Sequence, residues 1–87
     1  MEFGWDQEKD VANRAKHGIS LAAAVRLDWA VGRDILDSRF DYGEVRITRY
    51  AHLDGRLHVC VYTLRDQTRR IISLRKANER ERLRYGI

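Results

Sequence analysis

Eighty-seven residues carrying a net charge of +4, no proline and a single cysteine suffice for one compact domain, because a chain this short buries only a little over about 60% of the surface its unfolded form exposes. No apolar run reaches the roughly 18 to 20 residues that span a bilayer, and Cys60 has no second cysteine with which to close an intrachain disulfide. A 44% hydrophobic share with two Trp, four Tyr and two Phe argues against disorder, so residues 1–87 are expected to fold as one domain. The opening "MEFGWDQEKD" is acidic where a signal peptide would be basic and then apolar, and a cytoplasmic protein is expected.

Helical signals fill the first third of the chain. Asp6 can cap a helix from about Gln7 to Lys16, with Glu8 and Asp10 early and Gly18 as its C-terminal stop. Val11, Ala12, Ala15 and Ile19 give that helix an apolar side. Ser20 can cap a second helix, "LAAAVRLDWA", whose Leu21, Ala24, Val25 and Trp29 share a side that Asp28 interrupts, with Leu27 flanking it. After Gly32 the period changes to alternation. "RDILDS" reads as a short strand, and "EVRITRYA" as a clear one with Val45 and Ile47 on one face and Glu44, Arg46 and Thr48 on the other. Asp54-Gly55 makes a hairpin turn, because both residue types tolerate positive φ. "RLHVCVYTL" follows as a strand covered on both sides, then the polar turn "RDQT", the strand "RRIISLR" and a charged helix from Ala77 to Tyr85. The expected fold is α+β: two N-terminal helices, about four antiparallel strands in a meander, and one C-terminal helix, with the helices grouped on one face of the sheet.

Basic charge is unevenly placed along this pattern. From Arg65 to Ile87 eight basic residues face three acids, a net of +5, while residues 1–64 sum to −1. Fourteen of the seventeen basic residues are arginines, whose planar forks meet phosphate oxygens two at a time. A basic end on a near-neutral body is the electrostatic footprint of a polyanion binder.

Strand alternation says which side chains share a surface. Glu44 and Arg46 lie two apart, as do Ser73 and Arg75, so in one sheet they can converge on one face without any loop to position them. Taken alone, the same residues could equally make an ordinary cross-strand ion pair. His17 follows Lys16 at the end of the first helix; a histidine there can cap the helix, or it can exchange a proton near neutral pH. Like-charge repulsion from Lys16 would lower its pKa, and the helix C-terminus would raise it. His52, His58 and Cys60 lack a fourth ligand and a Cys-x-x-Cys pair, so no metal or other cofactor is expected. Trp5 and Trp29 could stack bases but fit a core better. Nothing resembles a phosphate-binding glycine loop or a serine-hydrolase elbow.

Three ordered blocks resemble the BrnT toxins of bacterial type II toxin-antitoxin systems: Phe3, Trp5, Asp6, Lys9, Asn13, Lys16, His17 and Gly18 at the start; Glu44 and Arg46 within "YGEVRIT"; and Arg70, Ile71, Ile72, Ser73, Arg75, Ala77, Glu81 and Tyr85 at the end. The second helix departs from the family pattern, with "LAAAVRLDW" where Phe and Glu are usual, and a proline usual before the first strand is missing. The resemblance implies a RelE-like fold, RNA cleavage that arrests translation, and neutralisation by a BrnA-like antitoxin whose DNA-binding region represses the operon at its operator.

On this basis the expected reaction is metal-independent cleavage in which the RNA's own 2′-OH attacks the adjacent phosphate. Arg46 and Arg75 would stabilise the phosphoryl charge, His17 would move the proton with Glu44 as competing base, and Lys16, Arg69, Arg70, Arg80, Arg82 and Arg84 would bind the RNA backbone. The alternative is a noncatalytic basic module that binds nucleic acid or protein through the same surface.

Overall fold

The computed structural model describes residues 1–37 and 44–86. Ser38, at the end of the expected "RDILDS" strand, and Tyr42 and Gly43 of "YGEVRIT" lie outside them. In chain order the elements are β1 (Glu2–Trp5), α1 (Gln7–His17), a 3-10 helix (Leu21–Arg26), β2 (Arg33–Asp37), β3 (Arg46–Leu53), β4 (Arg56–Arg65), β5 (Thr68–Lys76) and α2 (Glu79–Tyr85). The strands form one sheet in the order β1-β5-β4-β3-β2. The expected meander is present as β2 to β5, all antiparallel. The expectation of four strands is corrected by β1, which runs parallel to β5 at the sheet's edge and makes the sheet mixed. Four residues cannot display a period, so β1 is invisible to pattern reading.

Local chemistry explains most element ends. The Asp6 carboxylate accepts from the amides of Glu8 (2.8 Å) and Lys9 (3.3 Å) at the start of α1, and Gly18 ends the helix at φ +72°, where a Cβ would be strained. Asp54 and Gly55 both adopt positive φ in the β3–β4 turn. At α2, Asn78 and Glu81 exchange side-chain bonds with each other's backbone amides in a capping box.

The second helix is a six-residue 3-10 helix, shorter and tighter than the expected α-helix. Its packing has period three: Leu21, Ala24 and Leu27 are all at most 3% exposed, whereas Val25, placed on the apolar face by an α-helical reading, is 51% exposed. The Asp28 carboxylate then accepts from the amides of Ala30 and Val31, turning the chain toward β2.

Helix α1 also differs from expectation, because the residues it buries are Asp10 and Asn13 while Val11, Ala12 and Ala15 face solvent. Strand β1 pairs with β5 only as far as Ile71. Beyond that point the Asn13 side chain takes over: its amide nitrogen donates to the Leu74 carbonyl (2.9 Å) and its oxygen accepts from the Leu74 amide (3.1 Å), as a neighbouring strand would. The same amide nitrogen also donates to the Ile19 carbonyl at 2.9 Å. One turn earlier, Asp10 accepts from the Leu21 amide (2.8 Å) and the Ser20 hydroxyl (3.1 Å). Two buried polar residues thus join α1, the 3-10 helix and β5.

The core lies on the face covered by the 3-10 helix, where Ile47, Ala51, Leu53, Cys60, Tyr62, Ile71 and Leu74 meet Leu21, Ala23, Ala24 and Leu27. Trp29 packs against it, with its indole N–H donating to the Ala24 carbonyl at 2.8 Å. A smaller cluster of Leu57, Val59 and Ala77, with Tyr50 and Tyr85, lies on the opposite face. The expectation that the helices group on one face is therefore corrected: α2 covers one end of the second face.

Replacing Asn13 with alanine strands a buried amide and a buried carbonyl, each costing about 1–3 kcal/mol. Asn13→Ala is expected to lower stability by about 2–4 kcal/mol, read as a lower urea midpoint at unchanged slope. A loss under about 0.5 kcal/mol, the range of an ordinary surface substitution, would refute the bridging role.

Candidate nucleic-acid interface

Whether the arginines of β5 share a surface is decided by one irregularity in the sheet. Arg70 and Arg75 are five residues apart, so regular alternation would place them on opposite faces. Between β4 and β5, however, Val61 pairs with Ser73 and Tyr62 with Ile71, which leaves Ile72 as an extra residue in a bulge. The bulge reverses the parity of β5. Ile71 and Leu74 both reach the core, and Arg70, Ser73 and Arg75 all fall on the other face.

That face is ordered in rows across the strands. Arg46 lies opposite Thr63, and Thr63 opposite Arg70. Thr48, Val61 and Ser73 form the next row, and Tyr50, Val59 and Arg75 the third. The third row is under α2: Tyr85 stacks on Tyr50 at 4.0 Å and 21°, and both guanidinium ends of Arg75 bond the Glu81 carboxylate at 2.8 and 2.9 Å. That pairing holds the Glu81 carboxyl below its ordinary pKa and raises that of Arg75. The first two rows are left open. Beside them, Lys9, Asp6, Glu44, Arg46, Thr63, Arg65 and Arg70 line a cleft of about 200 Å³. A second depression of about 190 Å³ is lined by Lys9, Lys16, His17, Ile72 and Ser73. Lys9 and Ile72 border both, so α1 forms one wall of a continuous cationic track.

The expected site residues fall at two ends of this track. Glu44 and Arg46 are at the end with Arg70, while His17 is at the other, with Arg75 beyond it under α2 and near enough for its charge to act on the imidazole. Thr63 and Val59, which sit opposite Arg46's row and Arg75's row on β4, are four residues apart, about 13 Å at ~3.3 Å per residue. Arg46 and Arg75 thus share a face but not a row, and Arg70 is the arginine in Arg46's row. The Glu44 carboxylate is held by Arg65 through two bonds of 2.9 and 2.7 Å. That contact, followed by the charges of Arg65, Arg70 and Arg46, depresses its pKa against a smaller opposing effect of desolvation. His17 is exposed, and its pKa lies below the usual 6.5, lowered first by desolvation and then by the charges of Lys16 and Arg75. The like-charge effect expected from Lys16 is among the causes.

Among the remaining expected RNA-binding residues, Lys16 lines the depression beside His17. Arg69 shares the core-side parity of Ile71, and its guanidinium lies 4.1 Å from the Trp29 ring centroid and 5.6 Å from that of Phe3. It lies away from the track because it alternates with Arg70, on the same side of the bulge. Arg80, Arg82 and Arg84 ride on exposed positions of α2, where Arg84 stands over Tyr85 at 5.5 Å and Arg82 borders a separate cleft toward the β3–β4 hairpin. His58 and Cys60 share a face as expected, on the core side. His58 is 4% exposed with Nδ1 2.8 Å from the Arg56 carbonyl, and burial pushes the Cys60 thiol up to about 12.

Lys9, Thr63 and Arg65 were not expected at the site. Lys9 was legible, since residues 9, 13, 16 and 17 follow helical spacing on one flank of α1. Thr63 and Arg65 were not, because their place depends on the register among β3, β4 and β5.

No curated protein matches the chain. Residues 5–81 match the protein-family description "Ribonuclease toxin, BrnT, of type II toxin-antitoxin system". The match takes in α1, the whole meander and the start of α2, and with them both ends of the cationic track. With most of its length matched, the chain belongs to the BrnT family of ribonuclease toxins of type II toxin-antitoxin systems.

Proposed function

We propose that the chain is a metal-independent endoribonuclease that binds single-stranded RNA along the open half of the sheet and cleaves it where that half meets α2. The Ile72 bulge supports this most directly. It puts Arg70, Ser73 and Arg75 on one surface with Arg46 and Thr63, where α1 adds Lys9, Lys16 and His17. A run of phosphates is met by cations held on strands and a helix, which hold a site more tightly than loops.

The scissile phosphate sits at the His17–Arg75 end. Neutral His17 takes the proton of the ribose 2′-OH as the O2′–P bond forms. The P–O5′ bond breaks and the leaving oxygen takes a proton from water, giving a 2′,3′-cyclic phosphate and a 5′-OH, and His17 returns the proton it took to solvent. A pKa below 6.5 suits this task, since it leaves the imidazole unprotonated at neutral pH. Arg75, oriented by Glu81, retains donors beyond those it gives to the carboxylate and stabilises the charge that grows on the phosphoryl oxygens. Arg46, Arg70 and Lys9 hold the neighbouring phosphates. Glu44, with both oxygens on Arg65, is the weaker candidate base and orients Arg65 instead. The exposed arginines of α2 extend the cationic surface. In the cell the activity would act in the cytoplasm on translation, and a BrnA-like antitoxin with a DNA-binding region would neutralise it and repress the operon.

Incubation of the purified protein with RNA in EDTA is expected to yield fragments with cyclic phosphate ends. Binding without cleavage would favour a noncatalytic module, and cleavage that needs magnesium would defeat the metal-free reaction. With His17 as base, kcat/KM should rise with pH along a limb whose midpoint is below the ordinary 6.5, and level off by neutrality. His17→Ala should abolish that limb and cost about 10²–10⁴-fold in rate at unchanged RNA affinity; full activity in this variant would pass the role to Glu44. Arg70→Ala should weaken RNA binding and reduce the slope of log affinity against log salt by about 0.7. An unchanged slope would remove Arg70 from the phosphate track.

A further inference from the structure

Four of the nine exposed large hydrophobic side chains among the described residues lie in or beside the β2 edge of the sheet: Val31 (58%), Ile35 (37%), Leu36 (67%) and Val45 (45%). Strand β2 is terminal in the strand order and pairs with β3 on one side. An outer strand with apolar residues open on both faces is a template for another strand. Its sequence Arg33-Asp34-Ile35-Leu36-Asp37 specifies which strand fits.

We infer that β2 is a self-association edge, pairing antiparallel with β2 of a second copy of the chain about a twofold axis at Ile35. In this register Arg33 lies opposite Asp37 of the second copy, Asp37 opposite its Arg33, and Ile35 opposite its counterpart. Directly opposed side chains share a face at about 4.5–5.5 Å between Cβ atoms, so two opposite-charge pairs flank an apolar contact; Asp37 also stands opposite Arg46 in its own sheet, and the two oxygens of a carboxylate can accept from both arginines. Parallel in-register pairing would set Arg33 against Arg33 and Asp37 against Asp37, which selects against it. On the core side Asp34 faces Leu36 of the second copy. Asp34 is already paired there with Arg49 at 3.0 Å and accepts from the Tyr62 hydroxyl at 3.2 Å, so covering it strands no charge. The Arg33 guanidinium stands loosely over Tyr85 at 5.6 Å, and its five N–H donors are not consumed by that contact.

The product is a continuous ten-stranded sheet. A twofold axis perpendicular to it keeps equivalent faces on the same side, so the two cationic tracks lie side by side. Five residues per copy make a small interface, and the dimer is expected to be weak and concentration-dependent.

Sedimentation or light scattering of the full chain, purified free of partners, should show reversible dimerisation. Arg33→Asp sets carboxylate against carboxylate twice and Asp37→Arg sets guanidinium against guanidinium twice, so each variant alone should dimerise roughly tenfold more weakly. Mixing the two restores both opposite-charge pairs and should restore dimers, which a merely structural effect of either substitution would not do. Circular dichroism establishes that the variants fold; if either does not, Ile35→Lys, a change at an exposed position, should abolish association by itself. A wild-type chain that stays monomeric at all concentrations, folded variants that fail to complement on mixing, or an Ile35→Lys chain that still dimerises would each overturn the pairing.

Discussion

The carboxamide of Asn13 takes the place of a strand. Where β1 ends, the edge of β5 still presents an amide and a carbonyl at Leu74, and an uncompensated buried peptide group is expensive. A helix cannot pair with a strand through its backbone, because its own amides and carbonyls are consumed internally. One side chain with a donor and an acceptor a peptide's width apart can, and Asn13 spans the gap with bonds of 2.9 and 3.1 Å. This contact lets α1 lie in line with the sheet edge, so that Lys9, Lys16 and His17 come up beside the open face. If α1 were held by an apolar stripe it would sit on top of the sheet, and its basic flank would point elsewhere.

The bulge at Ile72 is the matching device within the sheet. It lets one strand satisfy two demands of opposite parity, keeping Ile71 and Leu74 in the core while Arg70, Ser73 and Arg75 face outward together. Bulges concentrate beside functional sites because they re-aim side chains at small structural cost. Together the helix edge and the bulge collect cations from three strands and a helix into one track. In the proposed function this track meets the phosphates of the RNA, from which much of the affinity for a nucleic acid comes.

Helix α2 divides the second face. It has no buried residue of its own and is held by the Arg75–Glu81 pair and the Tyr50–Tyr85 stack. The half of the face it covers has the apolar residues Leu57 and Val59 together with Arg75, which it ties to Glu81, and the half it leaves open has Arg46 and Arg70. The boundary between the packed rows and the open rows thus runs across the strands, between the second row and the third.

Much of this was legible in the residues themselves. The Asp6 cap, the Gly18 stop, the Asp54-Gly55 turn and the alternation of β3 are local effects, each set by a few neighbouring side chains and the backbone angles they permit. The same is true of the chemical class, since an arginine-rich, basic C-terminal quarter points to phosphate whatever the fold, and the three motif blocks pointed to the family. What only the tertiary structure decided is nonlocal: the pairing of β1 with β5, the period-three packing of Leu21, Ala24 and Leu27, the polar contact face of α1, the parity change at Ile72 and the placement of α2. Each depends on hydrogen bonds between residues distant in the chain. A backbone amide at position 74 carries no mark in the sequence of whether a strand or the side chain of residue 13 will meet it.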